Sequence, residues 1–412
     1  MANSFNVVDW LAQESLRILT NKLAVAAIFN TDYNKEFKRA FAPGETVRVP
    51  FPKRFRTRTG LTYNPQAIDS RTTTVTVDDV FGVDFEWDSV QAALQLERPS
   101  EEFAKNYLKE PMETIAQTIE DKCAQFAYQN ANNIVGQLGT NPTSFDTSSA
   151  AARERMVNLA CPVTGERSMI VTPSIMRALK NAAISYFNPV TDISKQFRTG
   201  IVGSGDGFEW YESVSLYRHT AGTWAGAVTV NGASQSGSSL NITCTSGDTF
   251  KKGDVFSIAD VNMVNPRTRR VTSPTTAKTF VITADLTATG TSETISIYPP
   301  IYGPTSVYQN VDALPANSAA LTLFPGTTSP NGKVGSNSLA LHRDAFALVG
   351  VELEVPKAAE MASQKRDPET GISVRFVRMF DPVQSKMVNR FDVLLGFGVL
   401  YGDECAVRVL GS

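Results

Sequence analysis

The hydrophobic pattern of the chain predicts one long helix between Pro99 and Asn132. From Met112 on, apolar residues recur every three or four positions, which places them on one helix face. They are Met112, Ile115, Ile119, Cys123, Phe126 and Ala127. Polar residues are expected largely on the other faces: Glu113, Gln117, Glu120, Asp121 and Gln125. Pro111 either kinks this helix or begins a second one, because proline has no amide hydrogen. We expect this helix to be the spine of the molecule, and an ordinary core helix is the alternative.

Residues 44–88 include segments that alternate between apolar and polar side chains, a period of two that predicts a long β-hairpin. One strand runs from Thr46 to Pro52, Gly60 turns the chain, and the returning strand has apolar residues on one face. Those residues are Val75, Val77, Val83, Phe85 and Trp87. The first arm carries the basic residues Lys53, Arg54, Arg56 and Arg58. The base carries the acidic residues Asp84, Glu86 and Asp88.

A projecting hairpin of this kind buries too little core to be stable on its own. We therefore expect it to lie on a neighbouring subunit, where the basic arm of one copy pairs with the acidic base of another. A solvated hairpin with incidental charges is the alternative. Contact of the arginines with phosphate ranks below both, because the adjacent acidic strand cancels their field.

Two further regions carry helical patterns. Asn6 to Asn30 is predicted as an N-terminal helix, with Asp9 and Glu14 outside its apolar stripe, where they face either solvent or a partner. Ser148 to Tyr217 reads as a compact α/β segment of helix, strand, helix and strand. Its second helix starts clearly at Thr172, because an N-cap threonine is followed there by a proline at the first helical position.

The composition changes at Ala221, and serine, threonine, glycine and short apolar strands dominate as far as Gly335. Short strands without helices predict a small β-barrel or sandwich. Because mixed patterning resumes at Leu339, we interpret this region as an inserted domain, which an exposed loop accommodates at little cost. One basic loop stands out within it, formed by Arg267, Arg269 and Arg270. Alternating strands then continue to the C-terminal end.

Composition limits the function classes. The 412 residues carry a net charge of −2, so no global basic field argues for tight nucleic-acid binding. The four cysteines lie far apart in sequence and are expected to be buried thiols in a reducing compartment. The first residues have no signal-peptide pattern, and no apolar run is long enough to span a bilayer, which predicts a protein made in the cytoplasm.

The sequence offers no recognisable catalytic motif. His219 and His342 have no second histidine or cysteine at ligand spacing, so neither a metal site nor any cofactor is predicted. The glycines from Gly200 to Gly207 follow no clear strand and lack the Lys-Ser/Thr ending of a phosphate loop. A long chain with a hairpin, a helical arm and no catalytic residues indicates a building block rather than an enzyme.

The order of these parts resembles the major capsid proteins of tailed double-stranded DNA phages, in particular the podovirus P22-like coat type with an inserted β-domain. Two stretches carry the likeness. One is His342-Arg343-Asp344-Ala345-Phe346-Ala347-Leu348. The other is Arg375 to Asp381, followed by Arg390-Phe391-Asp392 and Gly396.

The resemblance implies an α+β chain with the HK97-like capsid fold. Its parts would be an N-terminal arm, an extended loop, a spine helix with the peripheral domain, an axial domain, an inserted β-barrel and a return to the first domains. The corresponding ranges are 1–43, 44–88, 89–145, 146–221, 222–338 and 339–412.

The resemblance also implies a function. Copies would form pentamers and hexamers of an icosahedral shell in the virion, assembled in the bacterial cytoplasm on a scaffolding protein, with a portal protein at one vertex. The shell would enclose double-stranded DNA and contact it without sequence specificity. No membrane would take part. We expect the arginine loop at 267–270 to make a contact between capsomers. We expect Asp9 and Glu14 to contact the scaffolding protein. Alternatives are a virion-associated glycan-binding or hydrolytic protein and a tail-tube protein.

Overall fold

A computed structural model describes most of the chain, which divides into two compact units. The described residues are 7–20, 23–35, 46–51, 53–55, 60–61, 65, 72–87, 108–136, 141–142, 144–163, 165–183, 204–224, 226–324, 334–356, 361–367, 370–381 and 386–411. The first unit comprises Met1–Val49, Thr73–Cys123 and Phe346–Leu400, and the second comprises Pro50–Thr72, Ala124–Ala345 and Tyr401–Ser412. The predictions for Arg56, Arg58, Asp88 and residues 99–107 lie outside the described residues.

Helices and strands both contribute, which confirms the predicted α+β class. The helices are α1 (Val7–Thr20), α2 (Lys109–Asn130), α3 (Ala151–Asn158), α4 (Pro173–Ala183) and α5 (Gly402–Cys405). The strands up to the inserted region are β1 (Thr46–Pro50), β2 (Thr72–Trp87), β3 (Asn133–Gly136), β4 (Arg167–Val171), β5 (Ser204–Gly205), β6 (Phe208–Glu212) and β7 (Arg218–Thr220).

The remaining strands fall into two groups. The inserted region contains β8 (Thr229–Val230), β9 (Gly237–Thr243), β10 (Thr249–Phe250), β11 (Val255–Asn262), β12 (Ala277–Ile282), β13 (Leu286–Thr287), β14 (Ser292–Ile301) and β15 (Leu321–Phe324). The closing region contains β16 (Val334–His342), β17 (Phe346–Val351), β18 (Met361–Arg366), β19 (Ser373–Asp381), β20 (Lys386–Val399) and β21 (Ala406–Leu410).

Strand β20 organises the sheet of the first unit, whose order is β1-β2-β20-β19-β18. Its residues 386–392 pair with β19 and its residues 394–399 pair with β17. Strand β2 runs antiparallel to it from Thr76 to Trp87. A side chain at Gly396 would collide with Val77, since its Cβ would lie 2.6 Å from Cγ2 of that residue. The glycine therefore permits the close approach of β2.

For residues 76–87, this pairing corrects the prediction of a projecting hairpin. The returning strand of residues 44–88 is an inner strand of its own subunit's sheet from Thr76 onwards, rather than an arm resting on a neighbour. The physical reason is that the apolar face of β2 finds its partner in β20, where Phe85 stacks on Phe391 with ring centroids 5.9 Å apart. Alternation reveals that one face of a strand is buried, but not against which strand.

Helix α1 packs on the same sheet, against β18 and β19. Leu16 and Leu19 of the predicted stripe are buried there, and so is Ala12, which the prediction did not include. The helix is shorter than predicted, because it ends at Thr20 and the chain continues into a 3-10 turn at Ala26–Ile28.

Helix α2 confirms the long helix from Lys109 onwards. Five of its six predicted stripe residues are almost fully buried, and Phe126 is half-buried. Pro111 lies in the first turn, where a missing amide hydrogen costs nothing. One polar residue departs from the prediction, since Glu120 is 5% exposed instead of lying on an open face.

The buried Glu120 holds the chain that follows α1. Its Oε1 accepts hydrogen bonds from the backbone N–H groups of Ala24 (2.9 Å) and Ala26 (3.0 Å), and its Oε2 accepts one from Val25 (2.8 Å). These donors lie at the start of the 3-10 turn and would otherwise be buried without acceptors. Burial raises the pKa of the Glu120 carboxyl, while the three N–H groups oppose the shift.

The second unit contains a seven-stranded sheet of order β3-β21-β16-β4-β6-β5, with β7 paired to β16. The pairs β21–β3 and β4–β6 are parallel, and the others are antiparallel. Helix α4 begins as predicted, because the Thr172 Oγ1 accepts the backbone N–H of Ile175 at 3.4 Å. Among the described residues, no helix is long and apolar enough to cross a membrane.

The inserted region folds into a β-barrel, as predicted. Its main sheet has the order β15-β11-β12-β14-β9-β8. The two end strands meet, because the N–H of Val230 donates to Ala319 O and the N–H of Leu321 donates to Val228 O, both at 2.9 Å. The enclosed core contains Phe250, Phe256 and Phe280, all fully buried. Closure removes the open sheet edges that a small β-domain would otherwise expose.

We expect Glu120→Gln to lower the free energy of unfolding by about 1–3 kcal/mol, because the new amide group sets a donor against backbone donors. Equilibrium urea denaturation of the purified chain measures this loss. Glu110→Gln is the matched control, since Glu110 is an exposed residue of the same helix and its change should stay within about 0.5 kcal/mol. Equal effects of the two substitutions would contradict the capping role.

The raised pKa of Glu120 also predicts that the stability difference between the parent chain and the Glu120→Gln variant depends on pH. A raised pKa in the folded state means that the folded chain binds this proton more tightly than the unfolded chain does. The contribution to stability is therefore complete below the unfolded pKa and declines as the pH rises through the folded pKa. Because glutamine does not titrate, the stability gap between the parent chain and Glu120→Gln should narrow as the pH rises from 4.5. A stability difference that widens as the pH rises would show that the pKa of Glu120 is lowered, and not raised, in the folded chain.

Candidate functional site

The inserted barrel is held to the sheet of the second unit by a buried arginine. Arg408 of β21 is 1% exposed, and its Nη1 donates to the backbone carbonyl of Gly253 at 2.6 Å. Its guanidinium also lies 3.9 Å from the ring centroid of Tyr128 at the end of α2. Burial raises the pKa of Tyr128 to about 12, so the ring stays neutral and its face remains available to the cation.

A buried histidine–aspartate pair completes this anchor. The His219 Nε2 lies 2.7 Å from the Asp254 Oδ1, and both side chains are almost fully buried. The Asp254 Oδ2 accepts the backbone N–H groups of Lys251 (2.8 Å) and Gly222 (3.1 Å). The turn that presents Gly253 to Arg408 is therefore fixed from both sides. His219, which the sequence left without a role, is a structural residue here.

Further polar contacts join the barrel to the rest of the unit. Asn132 Nδ2 donates to Thr279 O at 2.8 Å, and the Arg155 Nη2 donates to the hydroxyl of Thr279 at 3.2 Å. Asn265 Nδ2 donates to Asn158 O at 2.8 Å. Each bond is specific in direction, so together they fix the orientation of the barrel within the second unit.

Three of the arginines singled out in the sequence meet at one cleft of about 480 Å³ in the second unit. Arg54, Arg267 and Arg269 line it together with the aromatic ring of Tyr308 and the carboxylate of Glu404. Arg54 forms an ion pair with Glu404, and its guanidinium lies 6.0 Å from the Tyr308 ring centroid. Burial and the neighbouring Asp403 raise the pKa of Glu404, and Arg54 opposes that shift.

The arginine loop is rigid at its base and exposed at its tip. The Asn265 Oδ1 accepts the backbone N–H groups of Arg267 (2.9 Å) and Thr268 (3.0 Å). Arg269 has a φ of +57° and donates to Val307 O at 3.0 Å, which ties it to its own barrel. Arg267 and Arg270 are exposed, so these two side chains are available for contact with another molecule.

The acidic residues of β2 pair within the chain. Glu86 lies 2.5 Å from Lys386. Asp84 lies 3.7 Å from Arg390, its partner directly across the β2–β20 ladder. Arg54 likewise has its partner in Glu404. The sequence predicted instead that the basic arm and the acidic base of different subunits pair with each other. The prediction that they contact a neighbouring subunit stays untested, as does the role of Lys53, whose side chain is exposed.

The proposed scaffold residues are only partly described. Glu14 forms a hydrogen-bonded ion pair with Arg17 one turn later, with Nε to Oε2 at 3.0 Å. The side chain of Asp9 lies outside the described residues. Their contact with a scaffold stays a prediction.

The fold also brings together residues that are distant in sequence. Ligand atoms of Cys161, His342 and Cys405 all lie within 4.8 Å of one another, and all three residues are buried. The interaction between the two thiols lowers the pKa of Cys161 and raises that of Cys405. The sequence predicted no such cluster, because that prediction considered only spacing along the chain. Arg408 and Glu120 were missed for a similar reason, since their partners are backbone groups that no side-chain pattern reveals.

Part of the chain matches a family model. Residues 236–409 match the model described as P22 coat protein, gene protein 5. The match spans most of the barrel and the closing strands, and it confirms the predicted resemblance over those residues. It supports the interpretation of the chain as a major capsid protein of a phage head. No curated protein matches the sequence.

The chain is also similar to solved structures. One is from Mycobacterium phage Che8, at 13% identity and a TM-score of 0.47, covering 95% of this chain and 92% of that one. Another is the capsid of Cyanophage P-SCSP1u, at 11% identity and a TM-score of 0.45, covering 93% and 86%. The capsid of Ralstonia phage GP4 gives 8% identity and a TM-score of 0.40, covering 94% and 88%. Each TM-score is below 0.5, so these likenesses support no function, and the family match alone does.

We expect Arg408→Lys to loosen the barrel, because lysine loses the planar contact with Tyr128 while it still requires burial. Hydrogen exchange of the backbone amides around Gly253 should speed up by about tenfold or more, in line with about 1–3 kcal/mol lost for a hydrogen bond to a charged group. Arg218→Lys is the control, since Arg218 is exposed on β7 of the same unit. Unchanged exchange at Gly253 in Arg408→Lys would show that the anchor lies elsewhere.

Proposed function

We propose that this chain is the major capsid protein of a tailed double-stranded DNA phage. Its copies form pentamers and hexamers, and these close into an icosahedral head around the packaged DNA. The observation that carries the proposal is the match of residues 236–409 to the P22 coat protein family. Those residues include most of the barrel and the strands that complete both sheets, so the match concerns the framework of the subunit and not a peripheral module.

The surface of the described residues supports association. Large apolar side chains are exposed in the segment between β1 and β2, where Phe55 is 59% and Leu61 is 98% exposed. Met379 and Phe380, at the end of β19, are each nearly half exposed. Side chains of this kind are stabilised when a second copy covers them. Neighbouring subunits in a shell supply such cover for every copy.

The barrel has two roles in the proposal. Its buried anchors through Arg408, Asn132 and Asn265 stabilise the subunit. Its exposed Arg267 and Arg270 make contact between capsomers. One exposed ion pair contributes only about 0–1 kcal/mol, so the strength of such a contact comes from its repetition over the shell.

The remaining parts follow the capsid interpretation. We assign the HK97-like arrangement to the chain, with α2 as its spine helix and residues 44–88 as its extended loop. A scaffolding protein guides assembly in the bacterial cytoplasm, a portal protein occupies one vertex, and the DNA is contacted without sequence specificity. A coat protein performs its function by association, so we assign it no enzymatic reaction.

Electron microscopy of the protein co-expressed with its scaffolding protein tests the proposal. We expect closed shells with five-fold and six-fold capsomers. Monomers or dimers alone would refute the proposal, and helical tubes would favour a tail-tube protein. Binding or cleavage of glycans by the full chain, without shells, would favour a virion-associated glycan-binding or hydrolytic protein.

A charge reversal tests the arginine loop. We expect the double variant Arg267→Glu, Arg270→Glu to reduce the yield of closed shells several-fold while the subunit keeps its fold, because like charges then meet between capsomers. Lys251→Glu with Lys252→Glu is the matched control, since both lysines are exposed on the same barrel. Arg54 is unsuitable for this purpose because its reversal would also break the ion pair with Glu404. Equal shell yields from the two double variants would exclude a specific role for the loop.

A further inference from the structure

We propose that Cys161, His342 and Cys405 form a binding site for one zinc ion in the second unit. The three residues come from distant parts of the chain. Cys161 follows α3, His342 ends β16, and Cys405 ends α5. Strands β16 and β21 pair with Leu341 opposite Ala406, which brings His342 beside Cys405.

The geometry fits a tetrahedral ion after a small contraction. The three ligand atoms lie within 4.8 Å of one another. Bonds of about 2.3 Å to sulfur and about 2.0 Å to nitrogen place tetrahedral ligands about 3.5–3.8 Å apart. Two thiolates and one imidazole are a ligand set that selects zinc over magnesium or calcium, which prefer oxygen.

One buried atom of the cluster points independently to a ligand. The Nε2 of His342 is fully buried and has no hydrogen-bond partner among the described residues, and the whole residue is 3% exposed. Buried ring nitrogens of histidine normally have a partner. A zinc ion bonded to Nε2 supplies this missing partner.

The other ring nitrogen has a suitable neighbour. Nδ1 now accepts the backbone N–H of Asp344 at 3.2 Å, and it lies 3.7 Å from the Asp344 Oδ2. Zinc at Nε2 moves the ring proton to Nδ1, which then donates to that carboxylate, and the backbone N–H of Asp344 gives up its bond to Nδ1. A carboxylate that orients a ligating histidine in this way strengthens metal binding.

The surroundings position the thiols and admit the ion. The buried Arg167 donates to the carbonyls of Cys161 (3.1 Å) and Pro162 (3.0 Å), which fixes the chain at Cys161. Cys405 lines the cleft of about 480 Å³, which gives zinc a path and leaves room for a water molecule as the fourth ligand. On binding, both thiols lose their protons to solvent, so each zinc ion releases two protons.

Cobalt titration of the full chain, purified under reducing conditions, tests the site. We expect one Co²⁺ per subunit, with a sulfur-to-cobalt charge-transfer band and the visible bands of tetrahedral cobalt. Binding of Co²⁺ or Zn²⁺ to the metal-free chain should release two protons per ion in a weakly buffered solution, and zinc should then displace the cobalt without further proton release. No tetrahedral spectrum from the folded parent chain would overturn the proposal, as would a Cys161–Cys405 disulfide that persists under the reducing conditions.

Substitutions assign the ligands. Cys161→Ser and His342→Gln should each weaken cobalt binding at least tenfold, whereas Cys244→Ser, at a buried cysteine of the barrel, should leave it unchanged. Circular dichroism checks that each variant folds. If a variant does not fold, protection of Cys405 from alkylation by added zinc in the parent chain gives the same information, and absent protection counts against the site. All readings use the subunit, so they are independent of shell formation.

Discussion

The buried carboxylate of Asp392 is the constraint on which the sheet of the first unit depends. Its side chain is fully buried on β20, where its Oδ2 accepts from the Arg375 Nη2 at 2.5 Å and its Oδ1 accepts from the Arg390 Nε at 2.6 Å. Removing one partner from a buried charge costs about 3–5 kcal/mol. Arg390 also faces Asp84 across the ladder. One network of charges therefore sets the register of β19, β20 and β2 together.

This network gives physical meaning to the residues by which the chain resembles phage coat proteins. Arg375, Arg390 and Asp392 form the ion network, and Gly396 lets the backbone of β2 approach. The other stretch contains His342, which ends a strand of the second unit. Both stretches thus secure the pairing of distant strands. A slip by one residue would turn the apolar face of β20 away from the core and leave Asp392 unpaired.

Local patterns predicted the elements that depend on local physics. The stripe of α2, the Thr172-Pro173 start of α4 and the short strands of the barrel follow from helical period, capping and turn chemistry. The errors concern partners at long range. The alternation of β2 showed an apolar face but not β20, and the predicted partner of Asp84 was the basic arm of another subunit rather than Arg390 of the same chain. Cys161 and Cys405 looked isolated because the fold alone makes them neighbours.

These in-chain pairs change the physical account of assembly. If Asp84 and Glu86 were free, association would depend mainly on ion pairs, each worth about 0–1 kcal/mol at a surface. Because β20 already holds them, an additional pair with a neighbour would have to compete with an existing one. The larger free energy is available from apolar side chains that the subunit leaves open, such as Leu61 and Phe55, at about 25 cal/mol per Å² buried. In the proposed shell, charges such as Arg267 and Arg270 would then select the register between copies, while apolar cover would supply the strength.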